Sequence, residues 1–208
     1  FYTVAIDHAT SGSSTIIGGL QDNGCWKTTS ANGTNAWQNI GSGDGTFTAI
    51  SNGGGSEYVG SQNGTTYRLS GTDWTRVDPL GGSGYLFVNP YTLDPNNSTI
   101  MYFAGGNYAW RNSNLTGIPL FSNNPTSVNW TRLDNSSIAG STQVSALAVS
   151  KANPANRLYI AFSPQGYLIR VDNANTGDPA GVDIGAAIPT GFISCVAVDP
   201  TDGNKVFV

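Results

Sequence analysis

A short block recurs about every 40 to 60 residues along this chain, and that period constrains the fold more than any composition does. Each block opens on a small residue, an aliphatic one and an Asp or Ser. The five openings are Ala5-Ile6-Asp7, Ala49-Ile50-Ser51, Thr92-Leu93-Asp94, Ala148-Val149-Ser150 and Ala197-Val198-Asp199. Some twenty residues on, a hydrophobic residue precedes a cation, as Trp26-Lys27, Tyr67-Arg68, Trp110-Arg111 and Ile169-Arg170. Three blocks then close on a Trp with an aliphatic residue three positions later: Trp37/Ile40, Trp74/Val77 and Trp130/Leu133. A repeat of this length is one supersecondary unit that must stack on its neighbours to cover its apolar faces. Units of four short strands stack as the blades of a β-propeller.

Alternating and short continuous apolar runs place four strands in each block. First strands are expected at 2–7, 47–51, 87–94, 144–150 and 192–199, and second strands at 15–20, 57–61, 99–104, 157–162 and 205–208. Third strands fall at 25–29, 65–69, 108–112 and 167–172, and fourth strands at 37–40, 74–77, 128–133 and 181–184. No segment sustains a 3.6-residue period, so the expected class is all-β. The expected architecture is a propeller of four-stranded antiparallel blades at 1–42, 43–80, 81–137, 138–187 and 188–208, the last incomplete. About four and a half blades read as part of a larger ring, closed by further blades of the same chain or of a second one.

Only 11% of the residues are charged, against roughly 25% in an average soluble domain, and Gly, Ser, Thr and Asn stand in their place. A net charge of −4 with scattered cations leaves no basic stripe for phosphates, which argues against nucleic acid. No apolar run approaches the roughly 20 residues that span a bilayer, so no membrane insertion is expected. The amide-rich, charge-poor composition is associated with extracellular bacterial proteins, and a secreted or cell-surface setting is expected. Cys25 and Cys195 lie in the first and last blocks and are expected to be buried thiols acting as small apolar fillers. His8, the only histidine, allows neither a multi-His zinc site nor more than one His-dependent triad.

In a propeller, the turns between second and third strands share one face with the links from fourth to first strands. On that face the residues expected to meet a ligand are Gln21, Asn23, Gln62, Asn63, Asn107, Tyr108 and Gln165. Planar amides, carboxylates and an aromatic ring can hydrogen-bond and stack on sugar rings. The same residues also build turns, because Asn, Asp and Gly tolerate positive φ. Asp22 and Asp44 are the candidate catalytic pair: both fall on this face of one blade, flanked by glycines. Two carboxylates roughly 6.5–9.5 Å apart can invert a glycosidic bond. Asp22 is equally suited to holding the Gln21–Gly24 turn through backbone N–H groups. Arg68, Arg111 and Arg170 recur on the opposite side, where a cation in every blade reads as structural. The 172–178 loop is rich enough in oxygen to admit Ca²⁺, although no EF-hand or nonapeptide spacing is present; no other cofactor and no further metal is expected.

Ser30-Ala31-Asn32-Gly33 followed by Trp37 resembles the Asp-box (Ser-x-Asp-x-Gly-x-Thr-Trp) of BNR repeats, with Asn for Asp and the Gly one position early. Segments 113–117 and 172–177 are more decayed versions at the same place in later blades. Gly18-Gly19-Leu20-Gln21-Asp22-Asn23-Gly24, then Trp37 and Gly43-Asp44-Gly45, is similar to a segment of BNR/sortilin-like propellers. That superfamily also holds xyloglucanase-type glycoside hydrolases. The resemblance implies a secreted propeller of seven to ten blades, often one module of a long protein, and many such members have no established activity. The leading expectation is a non-catalytic extracellular module presenting its loop face to a glycan or protein. A glycoside hydrolase fragment using Asp22 and Asp44 and a structural spacer or adhesin array are the alternatives.

Overall fold

The apolar runs pair as antiparallel meanders, as the period-two alternation requires. The computed structural model describes residues 1–30, 36–140 and 142–208. These form two compact units, one of Phe1–Leu80, Phe87–Asn89 and Ile118–Thr126, the other of Gly81–Leu86, Pro90–Gly117 and Ser127–Val208. Among the described residues helix is confined to single 3-10 turns at Gln62–Gly64, Leu115–Gly117 and Asp134–Ser136.

The first unit holds two four-stranded blades. One is β1 (Thr3–Ile6), β2 (Ile16–Leu20), β3 (Gly24–Thr28) and β4 (Gln38–Gly41), each strand paired with the next. The other is β5 (Thr48–Ile50), β6 (Glu57–Gly60), β7 (Thr66–Ser70) and β8 (Asp73–Arg76), ordered in the same way. Ile17, Cys25 and Val59 are buried together, with Ile40, Ile50, Tyr67 and Leu69 packed against them. Segment Ile118–Thr126 runs parallel to the outer edge of the second blade. Phe121 N–H donates to Trp74 O at 2.7 Å, Arg76 N–H to Ser122 O at 2.8 Å, and Pro79 bridges Thr126. An edge strand that would otherwise present a row of unpaired amides is thereby covered.

The second unit holds two further blades and a hairpin. They are β9 (Tyr91–Asp94), β10 (Asn97–Gly105), β11 (Tyr108–Asn112) and β12 (Trp130–Leu133), then β13 (Gln143–Val149), β14 (Leu158–Ser163), β15 (Tyr167–Val171) and β16 (Gly181–Asp183), and finally β17 (Ala197–Asp199) with β18 (Asp202–Phe207). All six residues of β14 are buried. Leu158, Ile160 and Phe162 enter a cluster with Tyr102, Ala104, Val144, Ile169 and Val171, while Tyr159 and Ala161 face Ala146, Leu168, Ile193 and Val196. Two sheets cover this one strand, which is why its sequence is a continuous apolar run. Each large side chain so buried contributes on the order of 1.5–3 kcal/mol.

Several strands differ from their sequence limits for identifiable reasons. The expected strand at 87–94 begins only at Tyr91, because Pro90 has no N–H to donate to a ladder. The strand expected at 128–133 begins at Trp130, since Asn129 sits at φ +61° and breaks the extension. The expected strand at 192–199 is confined to Ala197–Asp199, paired with β18. The two cysteines differ, against the expectation that both are buried. Cys25 is buried, with its thiol 3.5 Å from Gly60 O, but Cys195 lies in the unpaired stretch before β17 and is exposed.

Carboxylates at the ends of the first strands, Asp7 just after β1, Asp94 in β9 and Asp199 in β17, cap the following turns. Asp7 Oδ1 accepts the N–H of Ala9 and Thr10, Asp94 Oδ1 that of Asn96, and Asp199 Oδ1 that of Thr201. At Asp199 the Thr201 hydroxyl and N–H and the Lys205 ammonium favour the charged form and hold the carboxyl down to about 2.

Two outcomes follow. Ellman's reagent should modify one thiol of the native protein, Cys195, and two after denaturation, because burial pushes the Cys25 thiol up to about 11. Because the folded Asp199 carboxyl titrates below its unfolded value near 3.9, its stabilisation is complete above about pH 4 and is lost as the pH falls towards 2. Thermal melts in that window should fall less steeply in Asp199→Asn than in the parent.

Candidate ligand-binding site

The glycine-rich segments around Asp22 and Asp44 form a main-chain clasp in the first unit. Gly24 N–H donates to Gly43 O and Gly45 N–H to Leu20 O, each at 2.9 Å. The two strands approach so closely that a Cβ on Gly24 would lie 1.9 Å from Gly41 O, and one on Gly45 would lie 2.0 Å from Gly24 O. Only glycine fits, and Gly24 also needs its φ of +71°. Asp44 Oδ1 accepts the Asp22 N–H at 2.7 Å, and the Asp44 N–H donates to Gln62 Oε1 at 3.0 Å. The clasp thus joins the 21–23 turn, the 41–45 link and the turn at Gln62–Gly64.

The candidate residues of this unit are therefore gathered, but several of their polar groups hold the loops. Gln21 Oε1 accepts the Tyr2 hydroxyl at 2.6 Å, and Asn23 Nδ2 donates to Gln21 O at 2.9 Å. Asp22 and Asn63 occupy left-handed backbone at φ +61° and +57°. Asp22 and Asp44 line one open hollow of about 560 Å³ with Asn23, Trp26, Asn39 and Ser42. Its two carboxylates are differently employed: one Asp44 oxygen is committed to the Asp22 backbone, while the Asp22 carboxylate has no hydrogen-bond partner among the described residues.

The second unit presents a cleft of about 380 Å³ on its corresponding turns. Asn107 and Tyr108 line it as the sequence suggested, together with Trp110, Arg132, Gln143 and the glycines at 84, 105 and 106. The Arg132 guanidinium lies 4.2 Å from the centre of the Tyr108 ring, and its Nε donates to Asp134 at 2.6 Å. Asn107 Nδ2 donates to Ile138 O and Gln143 Nε2 to Gly84 O, which fixes the walls. Gln165, in the next blade of this unit, is exposed beside the bridge its backbone makes with Gly191.

Trp110, Arg132 and Gln143 escaped the sequence reading. A usable signal was present in Trp74-Thr75-Arg76-Val77-Asp78 and Trp130-Thr131-Arg132-Leu133-Asp134. In both, alternation puts the Arg on the same sheet face as the Trp, opposite the aromatic residue of the third strand: Arg76 faces Tyr67 and Arg132 faces Trp110. The Asp two residues on accepts the Arg. Asp78 does so through both oxygens, at 2.8 and 2.9 Å, and also accepts Thr66 N–H.

The recurrent third-strand cations serve the framework. Lys27 pairs with Glu57, Arg68 donates to Ile118 O at 3.3 Å, Arg111 donates to Ala174 O and Gly177 O at 2.9 and 2.6 Å, and Arg170 lies 3.4 Å from Asp172. The 172–178 loop gives its carboxylates to protein donors. Asp172 accepts Arg157, and Asp178 accepts the N–H groups of Asp134 and Asn135. No group of three or more His, Cys, Asp or Glu among the described residues is arranged to hold a metal ion. The Asp-box-like residues 31–33 lie outside the described residues.

Burial decides what the two Trp-Thr-Arg-x-Asp pairs contribute. The Asp78 side chain is 2% exposed and that of Asp134 is 53% exposed. Asp78→Ala should lower unfolding stability by about 3 kcal/mol, because it removes a buried carboxylate that accepts two Arg76 donors and the Thr66 amide. Asp134→Ala should cost at most about 1 kcal/mol in the same denaturant titration.

No family model matches the chain, and no curated protein sequence matches it. Solved structures do. A chain of a mitotic checkpoint complex superposes with a TM-score of 0.63 at 12% identity, over 95% of this chain and 56% of that one. Sqt1 of Chaetomium thermophilum, bound to the N-terminus of the ribosomal protein L10, gives 0.57 at 15% identity, over 94% and 51%. The β-propeller domain of Cps50 (Swd1) from Myceliophteria thermophila gives 0.60 at 12% identity, over 92% and 57%. The chain spans about half the length of these neighbours. At such identities the likeness shows the fold, an all-β propeller of four-stranded antiparallel blades.

Proposed function

We propose that this chain is a non-catalytic binding module of a larger secreted or cell-surface propeller, and that the cleft of its second unit seats an extended segment of a protein partner. The observation that carries the reading is the cleft itself. Tyr108 and Trp110 offer ring surface there, Arg132 a positioned cation, and Asn107 and Gln143 amides on walls fixed by hydrogen bonds. Aromatic and Arg side chains in a preformed hollow are the groups on which interface energy concentrates. Glycines at 84, 105 and 106 let a partner's backbone come close. Two neighbours of the same fold are described with protein partners, one within a checkpoint complex and one holding the N-terminus of a ribosomal protein. The charge-poor composition and the resemblance to BNR/sortilin-like propellers support a secreted setting.

The second reading is an inverting glycoside hydrolase, favoured by Asp22 and Asp44 lining one hollow. Peptides selected from a display library on the immobilised chain separate the two. On the binding reading, selected peptides lose about tenfold or more in affinity to Arg132→Ala and Trp110→Ala. No polysaccharide is cleaved by either the parent or Asp22→Asn. Cleavage of a polysaccharide by the parent that vanishes in both Asp22→Asn and Asp44→Asn establishes the hydrolase instead.

A further inference from the structure

We propose that the protein partner is held by β-strand addition: an extended segment pairs in parallel with the outer edge of β12 and continues that sheet. This rests on the reading of the Arg132 cleft as a protein-binding site and names the form its occupant takes. The chain itself shows the mode, because segment Ile118–Thr126 occupies the same edge of the second blade, on β8. Main-chain bonds carry that pairing, as they do wherever a peptide extends a sheet. Phe121 N–H donates to Trp74 O and Arg76 N–H to Ser122 O, at 2.7 and 2.8 Å. Farther on, Thr126 N–H donates to Asp78 O and Leu80 N–H to Thr126 O, at 3.0 and 2.8 Å. Side chains add to them. The Thr75 hydroxyl donates to Pro119 O at 2.7 Å, the Arg76 guanidinium to Asn123 O at 3.4 Å, and the Phe121 ring meets that of Trp74 at 6.1 Å in a T-shaped contact.

The third blade repeats these groups in register. Trp130, Thr131 and Arg132 stand opposite Asn112, Arg111 and Trp110, as Trp74, Thr75 and Arg76 stand opposite Leu69, Arg68 and Tyr67. Equal register and equal alternation put the Trp130 carbonyl and the Arg132 N–H on the outer side of β12, where Trp74 and Arg76 present theirs. The guanidinium of Arg132, stacked on Tyr108, lines the cleft, so a segment on this edge adjoins it.

What differs is the cover. Thr75 is fully buried, whereas Thr131 and Arg132 are exposed. Among the described residues β12 is the edge of its sheet and pairs with β11 alone. The reason lies in the links between third and fourth strands. The long link 113–129 of the third blade supplies the segment that covers β8, but the corresponding link of the fourth blade, 172–180, is short. It reaches Asp134 and Asn135 through Asp178 and leaves Thr131 and Arg132 open. An edge with outward amides is a template for another strand. The segment on β8 specifies the chemistry of the occupant. It is uncharged and extended, with a bulky apolar residue where Phe121 lies and backbone carbonyls for the Thr hydroxyl and the Arg N–H.

The probe is a synthetic peptide with the sequence of Ile118–Thr126, titrated into the isotope-labelled full chain and followed by NMR. It should bind with a Kd of about 1 mM or tighter and slow hydrogen exchange at the Arg132 amide, a readout that separates this edge from β8. Arg132→Pro removes the outward N–H and spares the ladder to β11, as Pro does on edge strands, and should abolish binding. Thr131→Val, at an exposed position, should weaken it about threefold. Methylating the main-chain nitrogen of the peptide's Phe should weaken it about tenfold, and this arm needs no change to the protein if Arg132→Pro does not fold. No binding, binding without protection of the Arg132 amide, or equal binding by the methylated peptide would overturn the proposal. Peptides selected on the immobilised chain keep the two readings apart. Dependence on Trp110 without dependence on Thr131 would overturn the strand pairing alone, whereas indifference to both Trp110→Ala and Arg132→Ala would overturn the cleft.

Discussion

A strand that is apolar on both faces can be stable only between two sheets, and the second unit is organised by that requirement. β14 sends Leu158, Ile160 and Phe162 to one side and Tyr159 and Ala161 to the other, and a different cluster receives each set. A single four-stranded meander could cover neither. The repeat in the sequence is the consequence: each block supplies the face that its neighbour lacks. Polar contacts follow the same direction. Arg111, 5% exposed, reaches carbonyl oxygens of Ala174 and Gly177 beyond β15, and Arg157 reaches Asn204 in β18 of the last hairpin.

Stacking of this kind leaves loops as the only surface free to vary, and these loops are short. Their conformations are held by the groups that a binding surface would be expected to expose. Gln62 accepts from Asp44, Asp44 accepts from Asp22, and Asn107 donates to Ile138. Such bonds lower the entropy lost when a partner arrives, since the surface is already ordered. The groups left over in the proposed cleft are the Tyr108 and Trp110 rings with Arg132. A preformed surface of this kind suits recognition.

Much of this was legible locally. Inner strands showed themselves through their apolar runs. Errors arose where pairing is set by a distant partner. Nothing near Cys195 in the sequence marks it as exposed where Cys25 is buried. The Gly-Asp-Gly around Asp44 reads as an accessible carboxylate between flexible residues. Gly45 is instead required by a backbone contact with Gly24, some twenty positions earlier, and Gly43 by its φ of +78° and the side chains of Ser61 and Gln62. The Trp-Thr-Arg-x-Asp pattern was visible in two blades, but its meaning needed the register that sets Arg132 over Tyr108.

By itself, the sequence determined the class of fold, the number of meanders and the places where the chain must turn. These depend on period-two burial and on which residues tolerate positive φ, both of which are properties of a few consecutive residues. The tertiary structure alone decided which amides hold loops and which face outward. A polar side chain's role is set by whichever donor or acceptor comes within 3 Å of it. At these loops that partner lies tens of residues away along the chain, beyond the reach of any local pattern.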